Sequence, residues 1–187
     1  MNIILASQSP RRKELLEKLQ ISFTVRVADI DETLDETCSI SQAVAQLSRR
    51  KAEAVDRTGE DIVIAADTIV VCGERVLGKP KDTEDAFRML RLLSGKKHQV
   101  MTGITVLQGE KAVCHTEITD IFFRELTDRE IRAYIDTGDP MDKAGAYGIQ
   151  NGACLFVEKI CGDYCNVVGL PVCRLGQILK EFLEETL

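Results

Sequence analysis

The sequence predicts an α/β (α+β mixed) fold with a long twisted sheet. Two observations carry that expectation. Short apolar runs of strand character alternate along the chain with stretches of helical periodicity, with no internal repeat, low-complexity tract or linker between them. The most apolar run, Ile62-Val63-Ile64-Ala65-Ala66, reads as a strand buried on both faces, as strands inside a covered sheet do. With 187 residues and 44% hydrophobic content, the chain can build one domain, or one domain with two lobes, around a real core.

Residues 2–6 read as a short buried strand. Pro10 suits the first turn of a helix with Ser9 as its N-cap, because the proline's missing N–H is not needed there. Leu15, Leu16 and Leu19 supply that helix with an apolar face. Residues 23–27 alternate and predict a strand, and residues 29–36 form an acidic loop. Ser39 or Ser41 opens a second helix, with Val44, Leu47 and Val55 inward and Lys51 near its middle. Residues 61–71 form the buried strand, with Asp67 in its interior. Gly78-Lys79-Pro80-Lys81 makes a turn, Thr83 caps a third helix to Leu93, and Gly95 stops it. Residues 99–107 and 112–123 predict two strands joined at Gly109-Glu110. Thr127-Asp128-Arg129-Glu130 has capping-box spacing and opens a helix ending near Gly138. A glycine-rich connection over residues 145–152 precedes a strand over residues 153–160. Pro171 opens the last helix, with Leu175, Ile178, Leu179, Phe182 and Leu183 facing inward.

The net charge of −6 gives no global field that would attract nucleic acid or an anionic membrane, so a polyanionic ligand needs a local basic cluster. No apolar run reaches the ~18 residues of a membrane span. Met1-Asn2-Ile3-Ile4-Leu5-Ala6 lacks the basic region and length of a signal peptide, and a cytoplasmic location is expected. Seven cysteines with no C-x-x-C pair, beside only two histidines, favour reduced cytosolic thiols over a zinc site.

The chemistry is concentrated in a few places. In Ser7-Gln8-Ser9-Pro10-Arg11-Arg12-Lys13 a strand ends and a helix begins. Free N–H groups there favour an anion, and two hydroxyls and two guanidinium groups add donors. Three consecutive cations oppose the helix dipole, so a bound anion explains them better than a solvated first turn. Asp67 among valines and isoleucines needs a cation or a partner; it suits a general base or a metal ligand, and equally a structural ion pair. Asp29-Ile30-Asp31-Glu32 offers carboxylates for magnesium or manganese, although most of that loop is expected to be solvated. Lys51, Lys79 and Lys81 are point charges suited to phosphate. Within Asp142-Lys143-Ala144-Gly145-Ala146-Tyr147-Gly148-Ile149-Gln150, small residues permit close backbone approach. Gln150 carries both a donor and an acceptor, which could match the imide edge of uracil or thymine. No nucleophilic triad accompanies these groups, and the set suits metal-assisted attack of water on a phosphoric anhydride.

The chain resembles the Maf family of septum-formation-associated nucleotide pyrophosphatases. The likeness rests on LASQSPRRKELL at the start, AADTIVV at residues 65–71, GKP at residues 78–80 and SGKKHQVMTG at residues 94–103. It continues with PMDKAGAYGIQ at residues 140–150 and GDYCNVVGLP at residues 162–171. The resemblance implies a single domain over residues 1–187, two lobes around a central cleft, with a long twisted mixed sheet and flanking helices, in the fold of inosine triphosphate pyrophosphatases. It implies hydrolysis of a nucleoside triphosphate between the α and β phosphorus atoms, with a divalent cation, Mg²⁺ or Mn²⁺. By position, Ser7, Arg11, Arg12, Lys51 and Lys79 are expected on the phosphates. Glu32 and Asp67 are expected on the metal, with Asp67 as proton acceptor and Lys79 beside them in the catalytic set. Arg11, Thr68 and Gln150 match positions associated with substrate choice. The Asp-Thr pair and the Gly-Ile-Gln run are similar to the branch acting on dTTP and UTP rather than on 7-methyl-GTP. One methyl separates those two bases, worth ~1–3 kcal/mol, so both are expected to be accepted. Asp139 stands where the family has Glu, and Asn151 where a glycine is usual. A homodimer is implied by the resemblance alone, and the expected partners are nucleoside triphosphates, with no nucleic acid and no membrane. The alternatives are a pyrophosphatase for non-standard purine nucleotides and a nucleotide-binding regulator of cell division and septum formation that needs no turnover.

Overall fold

The computed structural model describes residues 1–183. Its strands are β1 (Ile3–Leu5), β2 (Thr24–Val25), β3 (Ile62–Cys72), β4 (Arg75–Leu77), β5 (Lys97–Gln108), β6 (Lys111–Phe123) and β7 (Val157–Cys161). The helices are α1 (Pro10–Glu17), α2 (Ile40–Ala54), α3 (Thr83–Leu93), α4 (Asp128–Ile135), α5 (Tyr164–Val168) and α6 (Val172–Leu183). The sheet is mixed, in the order β2-β1-β3-β5-β6-β7, with β4 paired to β3. β1 is parallel to β2 and β3, whereas β3–β4 and β6–β7 are antiparallel. The chain divides into two compact units. The first comprises Met1–Asp67, Thr102–Glu117 and the residues from Gly169 on; the second comprises Thr68–Met101 and Ile118–Val168. No helix among the described residues is long and apolar enough to cross a membrane.

In the first unit, Ile4, Val63, Ala65 and Leu107 from the strands and Ala6 just after β1 pack with Ala52 of α2 and with Val55 at its C-terminal end. Asp61 anchors the start of β3, accepting from Asn2 N and Nδ2 at 3.1 and 3.0 Å and from Thr58 N at 3.0 Å. These bonds hold its carboxyl well below the usual carboxylate range, the Thr58 amide first among them. A capping box, Ser39 with Gln42, starts α2 and turns Ala43, Val44, Leu47, Ser48 and Ala52 inward. Gly103 of β5 lies so close to this helix that a Cβ there would fall 2.3 Å from the Val44 carbonyl oxygen, so only glycine fits. Ser48 Oγ and Thr105 Oγ1, 2.7 Å apart, seal the same interface. That seating places Lys51, one turn farther along α2.

In the second unit, α3 and α4 cover a core of Val70, Leu90, Leu93, Val100, Ile121, Phe123, Ile131, Tyr147 and Phe156. His98 lies inside it, edge-on to Phe123 with ring centroids 4.8 Å apart, and Nε2 is 2.9 Å from the Tyr147 hydroxyl. Burial lowers the His98 pKa to about 4, against a small opposing effect of a Lys96 backbone hydrogen bond. The unfolded chain therefore takes up this proton first. The contribution of neutral His98 is complete above the ordinary value of 6.5 and is lost as pH falls toward 4, a difference of roughly 3 kcal/mol at ~1.4 kcal/mol per tenfold change. Thermal melts from pH 7.5 to 4.5 should show the wild type losing stability faster than His98→Gln; parallel curves would contradict this.

Several expected boundaries moved. The strand expected over residues 23–27 shrinks to Thr24–Val25, both exposed, because one flank alone is paired. Asp82, not Thr83, caps α3, accepting from Asp85 N at 2.7 Å, and Thr83 is the first helical residue. Leu19 lies beyond α1, which ends at Glu17, and α4 ends at Ile135. The strand expected from Ala153 begins only at Val157, since Gly152–Phe156 coils as a 3-10 turn. Two short elements, β4 and α5, were not foreseen; both are too short for periodicity to register. Pro171 precedes α6 and accepts the Leu175 amide at 2.9 Å.

Candidate active site

Six of the expected residues lie in the first unit, and the structure groups them in two clusters. The first forms where β1 runs into α1. Ser9 caps the helix, its side chain accepting from Arg12 N, and Pro10 occupies the first turn. Ser7 Oγ accepts from Ser9 N at 3.2 Å and from Arg12 Nη1 at 3.2 Å. Arg12 Nε donates to the Gly169 carbonyl at 2.8 Å. The run of cations therefore divides. Arg12 is drawn inward and ties α1 to the chain before α6, Arg11 is half-buried, and Lys13 is exposed. Burial lowers the Arg12 pKa; Asp67 and Glu32 act to raise it, and Arg11 to lower it further. The opposing charges show that both acidic residues fall within the field of the helix start.

The second cluster centres on Lys51. Its ammonium lies 2.5 Å from Asp67 Oδ1 and 2.8 Å from Glu32 Oε1. The Lys51 and Asp67 side chains are 14% and 13% exposed, whereas Glu32 is 60% exposed. One carboxylate is thus fixed inside a strand, and the other rides on a loop open to solvent.

That loop is built for its position. Asp31 Oδ1 accepts from Thr33 N and Oγ1 at 2.9 and 2.6 Å, and Asp35 Oδ1 does the same for Thr37. These turns hold both carboxylates below their ordinary range, the threonine hydroxyl first among the causes. Asp31 and Asp35 are thereby committed to the loop. Arg50, adjacent to Lys51 on α2, donates to the carbonyls of Asp31 at 3.0 Å and Thr33 at 2.6 Å, straddling Glu32. Sequence reasoning missed Arg50. The Arg49-Arg50-Lys51 run was a visible signal, but nothing local says which cation turns toward the loop.

The pair Glu32 and Asp67 fits a divalent cation. Two oxygens from different chain segments already converge on one positive centre. No third Asp, Glu, His or Cys completes a cage among the described residues. Magnesium is commonly held by one or two carboxylates, the remaining positions being filled by water and phosphate oxygens.

Thr68, Lys79 and Gln150 lie in the second unit. Thr68 follows Asp67 directly in β3 and is half-buried. Lys79 is exposed in the turn after β4, where the Gly78 carbonyl accepts from Gly145 N at 3.0 Å. Gly145 has φ +69°, and a Cβ there would meet the Val70 side chain at 2.8 Å. Gln150 is exposed in a turn next to buried Ile149.

The segment before Gln150 is organised by a carboxylate that motif reading set aside. Asp139 accepts from the Tyr134 hydroxyl and from Asn151 Nδ2, and Lys143 Nζ lies 3.1 Å away. Burial acts to raise the Asp139 pKa, but the bonds from Tyr134, Asn151 and Lys143 outweigh it and hold it low.

A helix start flanked by hydroxyls and arginines, a lysine shared by two carboxylates, and a mixed sheet are the kind of parts that an enzyme handling phosphate groups brings together. The chain matches the family model described as Maf-like protein over residues 2–182, and it belongs to that family. It is 51% identical over 180 residues to the dTTP/UTP pyrophosphatase of Bacillus cytotoxicus, covering 96% of this chain and 94% of the relative. It is 53% identical over 179 residues to the dTTP/UTP pyrophosphatase of Geobacillus sp., with coverage of 95% and 96%. Among solved structures, a HAM1 protein from Coxiella burnetii is similar in fold, with a TM-score of 0.52 at 17% identity over 97% of this chain and 99% of that one.

Proposed function

We propose that the chain hydrolyses nucleoside triphosphates, dTTP and UTP, to the monophosphate and pyrophosphate. The observation that carries the chemistry is the Glu32–Lys51–Asp67 cluster in the same unit as the Ser7–Arg12 helix start. The choice of dTTP and UTP draws on relatives of that name at about 50% identity over nearly the whole chain.

In this reading Ser7 and Arg11 hold phosphate oxygens, while Arg12 fixes the turn that presents them. Lys51 and Lys79 add point charges against the triphosphate. Glu32 and Asp67 hold a magnesium or manganese ion, which supplies neutralisation of phosphate charge and acidification of water. Asp67 accepts the proton as water oxygen bonds to the α phosphorus, and the bridging P–O bond breaks with its electron pair leaving on pyrophosphate. The cations then balance the charge on the departing group. Thr68 and Gln150 meet the nucleoside, Gln150 through the imide edge of the pyrimidine. A homodimer and a cytoplasmic location belong to the same proposal, the dimer resting on the family resemblance alone.

A pyrophosphate-release screen over ordinary and modified nucleotides, with magnesium and manganese varied, tests the reading. Release from dTTP and UTP above all purine nucleotides is the expected result. Preference for a modified purine would move the substrate, and no release from any nucleotide would sink the enzyme reading in favour of a binding protein.

A further inference from the structure

The geometry points to Asp139 and Asn151 as positioning residues that fix the turn presenting Gln150, and so set how tightly the base is held. This rests on the proposed contact between Gln150 and the base.

The turn spans Gly148 to Asn151, closed by Asn151 N donating to the Gly148 carbonyl at 3.2 Å. Both of its ends lead to one carboxylate. At the far end, Asn151 Nδ2 donates to Asp139 Oδ1 at 2.5 Å. At the near end, Gly148 N donates to the Tyr134 hydroxyl at 3.0 Å, and that hydroxyl donates to Asp139 Oδ2. Lys143 Nζ, which also donates to the Asp139 carbonyl and to Asp142 Oδ1, both at 2.6 Å, supplies the counter-charge. The Lys143 stem runs so close beneath the turn that a Cβ on Gly148 would lie 2.6 Å from its Cε. Asp139 is little exposed, and burial of Ile149 pins the residue before Gln150. An exposed side chain between two tethered neighbours loses less freedom when it meets a ligand, which is the advantage of preorganisation. Tyr134 is rooted in α4, and burial keeps its hydroxyl protonated, so the near tether persists through the neutral range. Asn151 supplies the far tether and is itself exposed, so it can be replaced without opening the core.

Asn151→Ala is the first variant, with Gln150→Ala and the double variant beside it. Hydrogen exchange should report faster exchange of the Gly148–Asn151 amides in Asn151→Ala, with the α4 and β6 amides unchanged. KM for dTTP and UTP should rise about tenfold, the loss expected for one charge-assisted hydrogen bond, with kcat within about twofold. Inhibition by inorganic tripolyphosphate, which has no base, should be unchanged. In the Gln150→Ala background, Asn151→Ala should have no further effect on KM. Unchanged exchange in the turn overturns the tether. An equal KM penalty with and without Gln150, or weaker tripolyphosphate inhibition, overturns its role at the base. If Gln150→Ala alone leaves KM unchanged, the base contact fails, and the positioning role falls with it even if exchange confirms the tether.

Discussion

Asp67→Asn should lower turnover by about a thousandfold while nucleotide binding is retained, the middle of the usual range for loss of a general base. The substitution keeps the shape of the side chain and an oxygen that can face Lys51, and removes the capacity to take a proton. Because Asp67 sits inside β3 between Ala66 and Thr68, the backbone has no reason to move. Loss of charge also weakens the proposed cation site, which more magnesium can refill, but the missing proton acceptor cannot be restored that way, so most of the lost rate should stay lost at saturating magnesium. Pyrophosphate release measures turnover, and calorimetric binding of an α,β-imido analogue of dTTP measures binding. Retention of a tenth or more of the wild-type rate would show that the proton goes elsewhere. Loss of binding together with turnover would make Asp67 a holder of the ligand only.

Lys51→Met should destabilise the chelator-treated protein more than the magnesium-loaded one. Methionine fills the same space without charge, leaving Glu32 and Asp67 facing one another with no cation between them. Removing one partner of a fully buried pair costs ~3–5 kcal/mol, whereas exposed pairs contribute ~0–1 kcal/mol. Asp67 is near the first case and Glu32 near the second. A loss of about 2 kcal/mol is therefore expected, a fall of ~4–8 °C in Tm for a chain of this size. Magnesium bound by the same carboxylates stabilises the folded state alone, and at saturating concentration it should erase most of the deficit. Melts with chelator and with millimolar magnesium decide the matter. An identical fall in both would mean that the two carboxylates do not form the cation site.

Much of the candidate site was legible because its signals are local. Ser9 before Pro10, the cations after it, and a carboxylate amid Ile62 to Val71 each announce themselves within one turn or one strand. The capping box at Thr127 follows from a spacing of three residues and is present, and the structure settles the choice between Ser39 and Ser41 with a second box at Ser39. Asp139 and Asn151 show where this kind of reading ends. The two lie far apart in the sequence, and the structure makes them partners of each other across twelve positions. Nothing in the linear order links them; only the folded turn shows that they meet.

By itself, the sequence determined the longer helices and strands, where the helix after Ser9 begins, and which carboxylate is buried in the sheet. These properties follow from side-chain periodicity and from hydrogen bonds between near neighbours. The tertiary structure alone decided how the charges are spent. Arg12 goes to a carbonyl 157 positions away, Lys51 to a carboxylate 16 positions on, and Arg50 to the loop that carries Glu32. A long charged side chain can reach any partner that packing brings near it. Its choice is therefore set by which segments become neighbours, and only then by its own chemistry.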